Sequence, residues 1–141
     1  MPRHRPSATR EAHPAKAQQI LGYHFHKPST LHKALSADKS LALHGDALIQ
    51  HILVKEGLHR HASRGRINQV LKTASNAHLS QRGYSTGLAA CIRVTPGQNG
   101  CPQPGPVADA MEAVLAAIYE DSAENMGAVE SVMKRLGIWW P

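Results

Sequence analysis

Aromatic side chains are scarce in this sequence: two Trp, three Tyr and one Phe, or 4% of 141 residues. A core must then be assembled from Ala, Leu, Ile and Val, which favours packed helices over a β-sandwich. There is no run of about eighteen apolar residues, so a membrane-spanning helix is not expected. The opening segment MPRHRPSATREAHPAK has no apolar centre and does not read as a secretory signal. It reads as a disordered basic arm over residues 1–13, with weak organelle-targeting character as the alternative. Cysteine is nearly absent. Cys91 and Cys101 flank a Pro/Gly-rich stretch without a second Cys/His cluster, which excludes a zinc site. They read as free thiols of a reducing, intracellular compartment.

Acids are few in the first hundred residues. There, fourteen Lys/Arg stand against Glu11, Asp38, Asp46 and Glu56, while residues 101–141 hold six acids against Lys134 and Arg135. The formal net charge is +6. A basic surface of this kind suits a polyanionic partner, nucleic acid being the commonest.

What the sequence does have is helical punctuation. A short helix fits Ala15 to Leu21, ended by Gly22. Pro28 with Ser29 and Thr30 opens a second, with Leu31 and Leu35 on one face. Asp38 is placed to N-cap a long helix from about Lys39 to Glu56, so apolar that most of its sides must be covered. The stripe Ile67, Val70, Leu71, Ala74 and Leu79 predicts one helix from Ala62 to Arg82, and TPGQNGCPQPGP (95–106) is a loop by composition. Helices over Val107–Tyr119 and Asn125–Leu136 follow, the last closed by Gly137, with Trp139 and Trp140 exposed or against the domain edge. No strand pattern or internal repeat is present. The expectation is one all-α domain over residues 14–138.

Three acids stand among apolar neighbours: Asp46 in LALHGDAL, and Asp109 and Glu112 in VADAMEAVLAAIYED. The i, i+3 spacing of the last two puts them on one helix face. Buried carboxylates need a positive partner. Oxygen ligands without thiols suit a hard ion such as Mg²⁺, with Mn²⁺ as a substitute, and such an ion beside a basic surface fits phosphodiester hydrolysis. The competing reading is that these acids cap helices or pair with arginines. His24 and His26 form His-x-His with no third ligand evident; His44 and His51 read as structural.

Four blocks in order resemble the ribonuclease III domain family. LGYHFHKPSTLHKAL (21–35) resembles its Leu-Gly-Tyr-x-Phe opening, and LALHGDAL (41–48) its signature helix E-R-L-E-F-L-G-D-A. SNAHLSQRGYSTGL (75–88) resembles its Ser-Asn-x-x-Leu segment, and VADAMEAVLAAIYED (107–121) the helix of its last two catalytic acids. The blocks cover roughly residues 20–137 and look most like the short, single-domain proteins of fungi. The resemblance implies an all-helical homodimer that cuts both strands of double-stranded RNA with Mg²⁺. Asp46, Asp109 and Glu112 match catalytic, metal-binding acids. The apolar Leu41, Leu43, Leu48, Ile49 and Ile52 would serve core and dimer interface.

Two positions depart from that pattern: the signature glutamates fall on Lys39 and Ala42. Loss of one ligand should weaken Mg²⁺ binding and need not abolish activity, since water can fill a coordination site. Lys39 either repels the ion, contacts the RNA phosphate, or points to solvent. With the chain stopping at Pro141, no double-stranded-RNA-binding domain is expected after the nuclease-like unit. RNA affinity is then assigned to Lys39, Arg60, Arg64, Arg66, Lys72 and Arg82, supplemented by Arg3, Arg5 and Arg10. The competing functions are a catalytically degenerate module that binds RNA or protein, such as a mitochondrial ribosomal or RNA-processing component, and an unrelated basic helical adaptor.

Overall fold

The computed structural model describes residues 9–95 and 102–141. Arg3, Arg5, Cys101 and half of the 95–106 loop lie outside the described residues. The helices are α1 (Pro14–Leu21), α2 (Pro28–Leu35), α3 (Lys39–His59), α4 (Arg64–Thr73), α5 (Asn76–Thr86), α6 (Pro104–Asp121) and α7 (Met126–Leu136), with a 3₁₀ turn at Leu88–Cys91. Among the described residues the only β-type pairing is an isolated bridge between Arg10 and Val94. No helix there is long and apolar enough to cross a membrane.

The centre of the fold is α6. Val107, Ala108 and every residue from Ala110 to Ile118 are buried, because α2, α3, α5 and α7 all pack on it. Small residues set how closely they can approach. The closest approach is at Gly45 of α3, where a side-chain methyl would run into the backbone carbonyl of Glu112 on α6. The remainder of the buried face of α3, with Leu41, Leu48, Ile49, Ile52 and Leu53, fills the same core.

Local signals explain most boundaries. Asp38 accepts from Leu41 N–H at 2.9 Å and starts α3, while Gly22 and Gly137 close α1 and α7 in the left-handed region. The single helix expected over Ala62–Arg82 is two. Ser75 accepts from the N–H of His78 and caps a new helix, so the apolar stripe passes through a break at Ala74–Ser75. Pro104 and Pro106 lie in the first turn of α6, where a missing N–H costs nothing, so the loop expected to reach residue 106 ends earlier. The arm expected to be loose through residue 13 is tied from Arg10 onward: Arg10 exchanges backbone bonds of 3.0 and 2.9 Å with Val94, and His13 N–H donates to Cys91. The Trp140 indole is buried, donates to the Leu53 carbonyl at 3.0 Å, and carries the Arg60 and Arg66 guanidiniums over its ring.

A buried carboxylate pins the loop after α1 to the end of α6. Asp121 accepts from Tyr23 Oη at 2.7 Å and from the backbone N–H groups of His26 and Lys27. Burial pushes this carboxyl up, but the hydrogen bonds from His26, Tyr23 and Lys27 outweigh it and hold it down at about 2. Its contribution to stability is therefore complete above pH ~4 and is lost as pH falls through about 2.

Gly45→Ala tests the α3–α6 crossing. Helix propensity alone would favour Ala by about 1 kcal/mol. The clash is with backbone, which cannot swing aside, and overpacking of this kind costs about 3 kcal/mol. The expected net result is a loss of roughly 2 kcal/mol in denaturant unfolding; a variant as stable as the parent would show that the helices are not in contact there.

Candidate active site

That crossing builds the site. Gly45 lets α3 lie against α6 at Glu112, so Asp46, the next residue on α3, comes up beside the Glu112 side chain. Asp109 follows one turn earlier on α6. Lys39, Ala42, Leu43 and Asp46 of α3, Asn76 at the start of α5, and Asp109 and Glu112 of α6 line one open pocket of about 320 Å³. The three acids taken from separate stretches of sequence thus share a pocket.

They are held differently. Glu112 is only 7% exposed. Burial pushes its carboxyl up, a hydrogen bond with Asp46 and the charges of Asp46 and Asp109 push further, and it reaches about 8. Asp46 accepts from Gln50 Nε2 at 3.1 Å, one turn along α3. Asp109 accepts from the Lys39 ammonium at 2.6 Å. That contact raises the lysine's affinity for its proton, through the hydrogen bond first and the charge second. Ala42 lies on the pocket wall and brings no polar atom.

The donor set fits a hard divalent ion by chemistry: carboxylate oxygens, crowded enough that Glu112 holds a proton near neutrality. It is not a finished ligand cluster. No group of three His, Cys, Asp or Glu side chains among the described residues converges to hold a metal. Asp46 and Glu112 are together, and Asp109 is drawn to Lys39.

Other expected site residues fall elsewhere. Leu41, Leu48 and Ile52 are 5% exposed or less and belong to the protomer's own core, as does Ile49. They are buried because α3 is covered on several sides within one chain, which leaves Leu43, 75% exposed at the pocket rim, as the apolar contact residue. Arg82 is half-buried and donates to the Leu136 carbonyl at 2.8 Å, so its guanidinium closes the end of α7 instead of facing outward. Arg60 pairs with Glu56 at 2.7 Å; Arg64, Arg66 and Lys72 are exposed. Roughly 30 Å of helix separates Arg60 from Lys39, so they meet different phosphates of any duplex. Arg10 donates to the Ala89 and Ile92 carbonyls. Asn76 and Asp121 were not singled out from sequence. Asn76 is the asparagine of the Ser-Asn-x-x-Leu block, which was a sufficient signal; Asp121 ends the α6 block and had no spacing to mark it.

The raised Glu112 carboxyl makes a stability prediction. Between its unfolded value near 4.5 and about 8 the folded chain binds more protons, so metal-free stability falls as pH rises through this window. Glu112→Gln removes that dependence. At pH 8.5 without divalent ions the variant should be more stable than the parent by on the order of 2 kcal/mol, with the difference vanishing near pH 4.5 in thermal melts. Equal stability at both pH values would mean that Glu112 is not crowded by Asp46.

No protein-family model matches the chain. It is similar to the curated protein Ribonuclease 3 of Vibrio atlanticus (strain LGP32), at 25% identity over 138 residues and 89% of this chain. The chain spans 59% of that relative's length. Among solved structures it is similar to the nuclease domain of ribonuclease III from Campylobacter jejuni. One structure, described as flexible in a region involved in dimer formation, has a TM-score of 0.75 and 19% identity, covering 88% of this chain and 95% of that one. A second, at 2.2 Å resolution, has a TM-score of 0.72 and 20% identity, covering 86% and 92%. The fold of this chain is that of a ribonuclease III nuclease domain.

Proposed function

We propose that the chain is a ribonuclease III-type endoribonuclease domain that binds double-stranded RNA and hydrolyses its phosphodiester bonds with Mg²⁺, at a metal site weakened by Ala42. The observation that carries this reading is that Asp46, Asp109 and Glu112, from two helices, line one pocket of a basic domain. Mg²⁺, or Mn²⁺ in its place, would supply a water of lowered pKa and neutralise charge on the phosphate. Asp46 and Glu112 would hold the ion, with Asp109 the third carboxylate once Lys39 lets it go. Gln50 orients Asp46. Glu112 gives up the proton it holds in the metal-free state. Arg64, Arg66 and Lys72 meet phosphates farther along the duplex.

The Lys39–Asp109 ion pair and the apolar Ala42 favour one alternative: a domain that binds duplex RNA without cutting it. Incubation with long duplex RNA, with Mg²⁺ or EDTA, separates the two. Products that need Mg²⁺ and vanish in Glu112→Gln are expected, and Ala42→Glu should raise both Mg²⁺ affinity and cleavage rate by about tenfold. Salt-dependent binding without products in either protein would select the non-cleaving reading.

A homodimer with Leu43 at its contact completes the proposal. A two-fold interface meets each substitution twice. Leu43→Arg should sediment as a monomer and lose cleavage while remaining folded, with an unchanged far-UV circular dichroism spectrum, since Leu43 is outside the core. A tight dimer in that variant would place the interface elsewhere.

A further inference from the structure

The acid pocket already contains a cation. Lys39 Nζ sits 2.6 Å from Asp109 Oδ2, and the lysine side chain is otherwise 86% exposed. Its position is not explained by the helix that carries it. Lys39 is the first residue of α3, where the helix dipole disfavours positive charge, and the first turn of α3 has no acid. The neighbouring Asp38 carboxylate is occupied in capping Leu41 N–H. What holds the ammonium is Asp109 on the facing helix; of the other groups around the pocket, Glu112 keeps a proton to about pH 8, and Asn76 of α5 and Gln50 of α3 bring only neutral amides. Ala42, one turn on from Lys39, brings no charge to the wall between them.

We propose that Lys39 is a built-in competitor for the metal: its ammonium holds Asp109 in the divalent-free state, and a divalent ion gains the third carboxylate only by displacing it. This rests on the reading of the pocket as a metal site. Two effects act in one direction. The ion pair must be broken before Asp109 can turn to a metal, and the ammonium repels a divalent cation placed between Asp46 and Glu112. The pair is exposed, and such pairs are weak, so it opposes the ion without locking it out.

The test is Mn²⁺ binding to the full chain without RNA, followed at pH 7.5 by the electron paramagnetic resonance signal of free Mn²⁺. Lys39→Gln removes the charge, Lys39→Arg keeps it, and Glu112→Gln removes a ligand. Lys39→Gln should bind Mn²⁺ at least about fivefold more tightly than the parent, with Lys39→Arg close to the parent and Glu112→Gln weaker. If Lys39→Gln matches the parent while Glu112→Gln weakens binding, the competition is refuted and the metal site stands. If Lys39→Arg tightens binding as much as Lys39→Gln, charge is not the cause and the proposal fails. If none of the four proteins takes up Mn²⁺ at millimolar concentration, the metal site itself is refuted, and the competition with it.

Discussion

The molecule depends on one close approach, Gly45 of α3 against the backbone of Glu112 on α6. It is an apolar contact with an electrostatic consequence. The helix-helix packing that buries Leu48, Ile49, Met111 and Leu115 also forces the Asp46 and Glu112 carboxyls together at the edge of the core. Below about pH 8 the Glu112 proton and its hydrogen bond with Asp46 relieve the crowding, and above it burial of that apolar area must outweigh the repulsion. The pairing of the two carboxyls is thus a product of packing.

Such a pocket must balance its charge, and it does so in three ways. Glu112 retains a proton to about pH 8. Gln50 donates to Asp46. Lys39 donates to Asp109. Each device can be undone by a divalent ion: the proton can leave, Asp46 has a second oxygen, and the exposed lysine can swing into solvent. Asp121, at the other end of α6, is the contrast. It is also a buried carboxylate, but three N–H or O–H groups point at it, and its charge is permanent above pH ~4. Fixed donors make Asp121 part of the scaffold; crowding without fixed donors makes Glu112 responsive to what enters the pocket.

The difference between those two acids marks what sequence could reveal. The i, i+3 spacing of Asp109 and Glu112, and acids set among apolar residues, were enough to nominate the pocket, because helical geometry fixes which side chains share a face. Caps at Asp38, Gly22 and Gly137 were equally local and readable. What escaped was set by partners distant along the chain. Arg82 looks like any surface arginine until the end of α7 is placed beside it. Leu41, Leu48 and Ile52 look as suited to a dimer as to a core until α6 covers them. The break between α4 and α5 was written in Ser75, yet the apolar stripe continues in phase across it, and periodicity outweighed the cap.

Lys39 shows where a local reading stops short of function. Sequence left three orientations for it, and only the spatial neighbour on α6 decides among them. Once it faces Asp109, the departure of Lys39 and Ala42 from the acidic pattern that the resemblance implies is more than a loss. Removing a carboxylate reduces the pocket's pull on a cation, while adding an ammonium supplies a weaker, tethered cation in its stead. The two changes together bring the pocket nearer to neutrality without a metal. A domain of this kind keeps its acids assembled, because α3 and α6 leave them no alternative, and under the proposed competition the strength of its metal site would be set by the charge of a single exposed side chain.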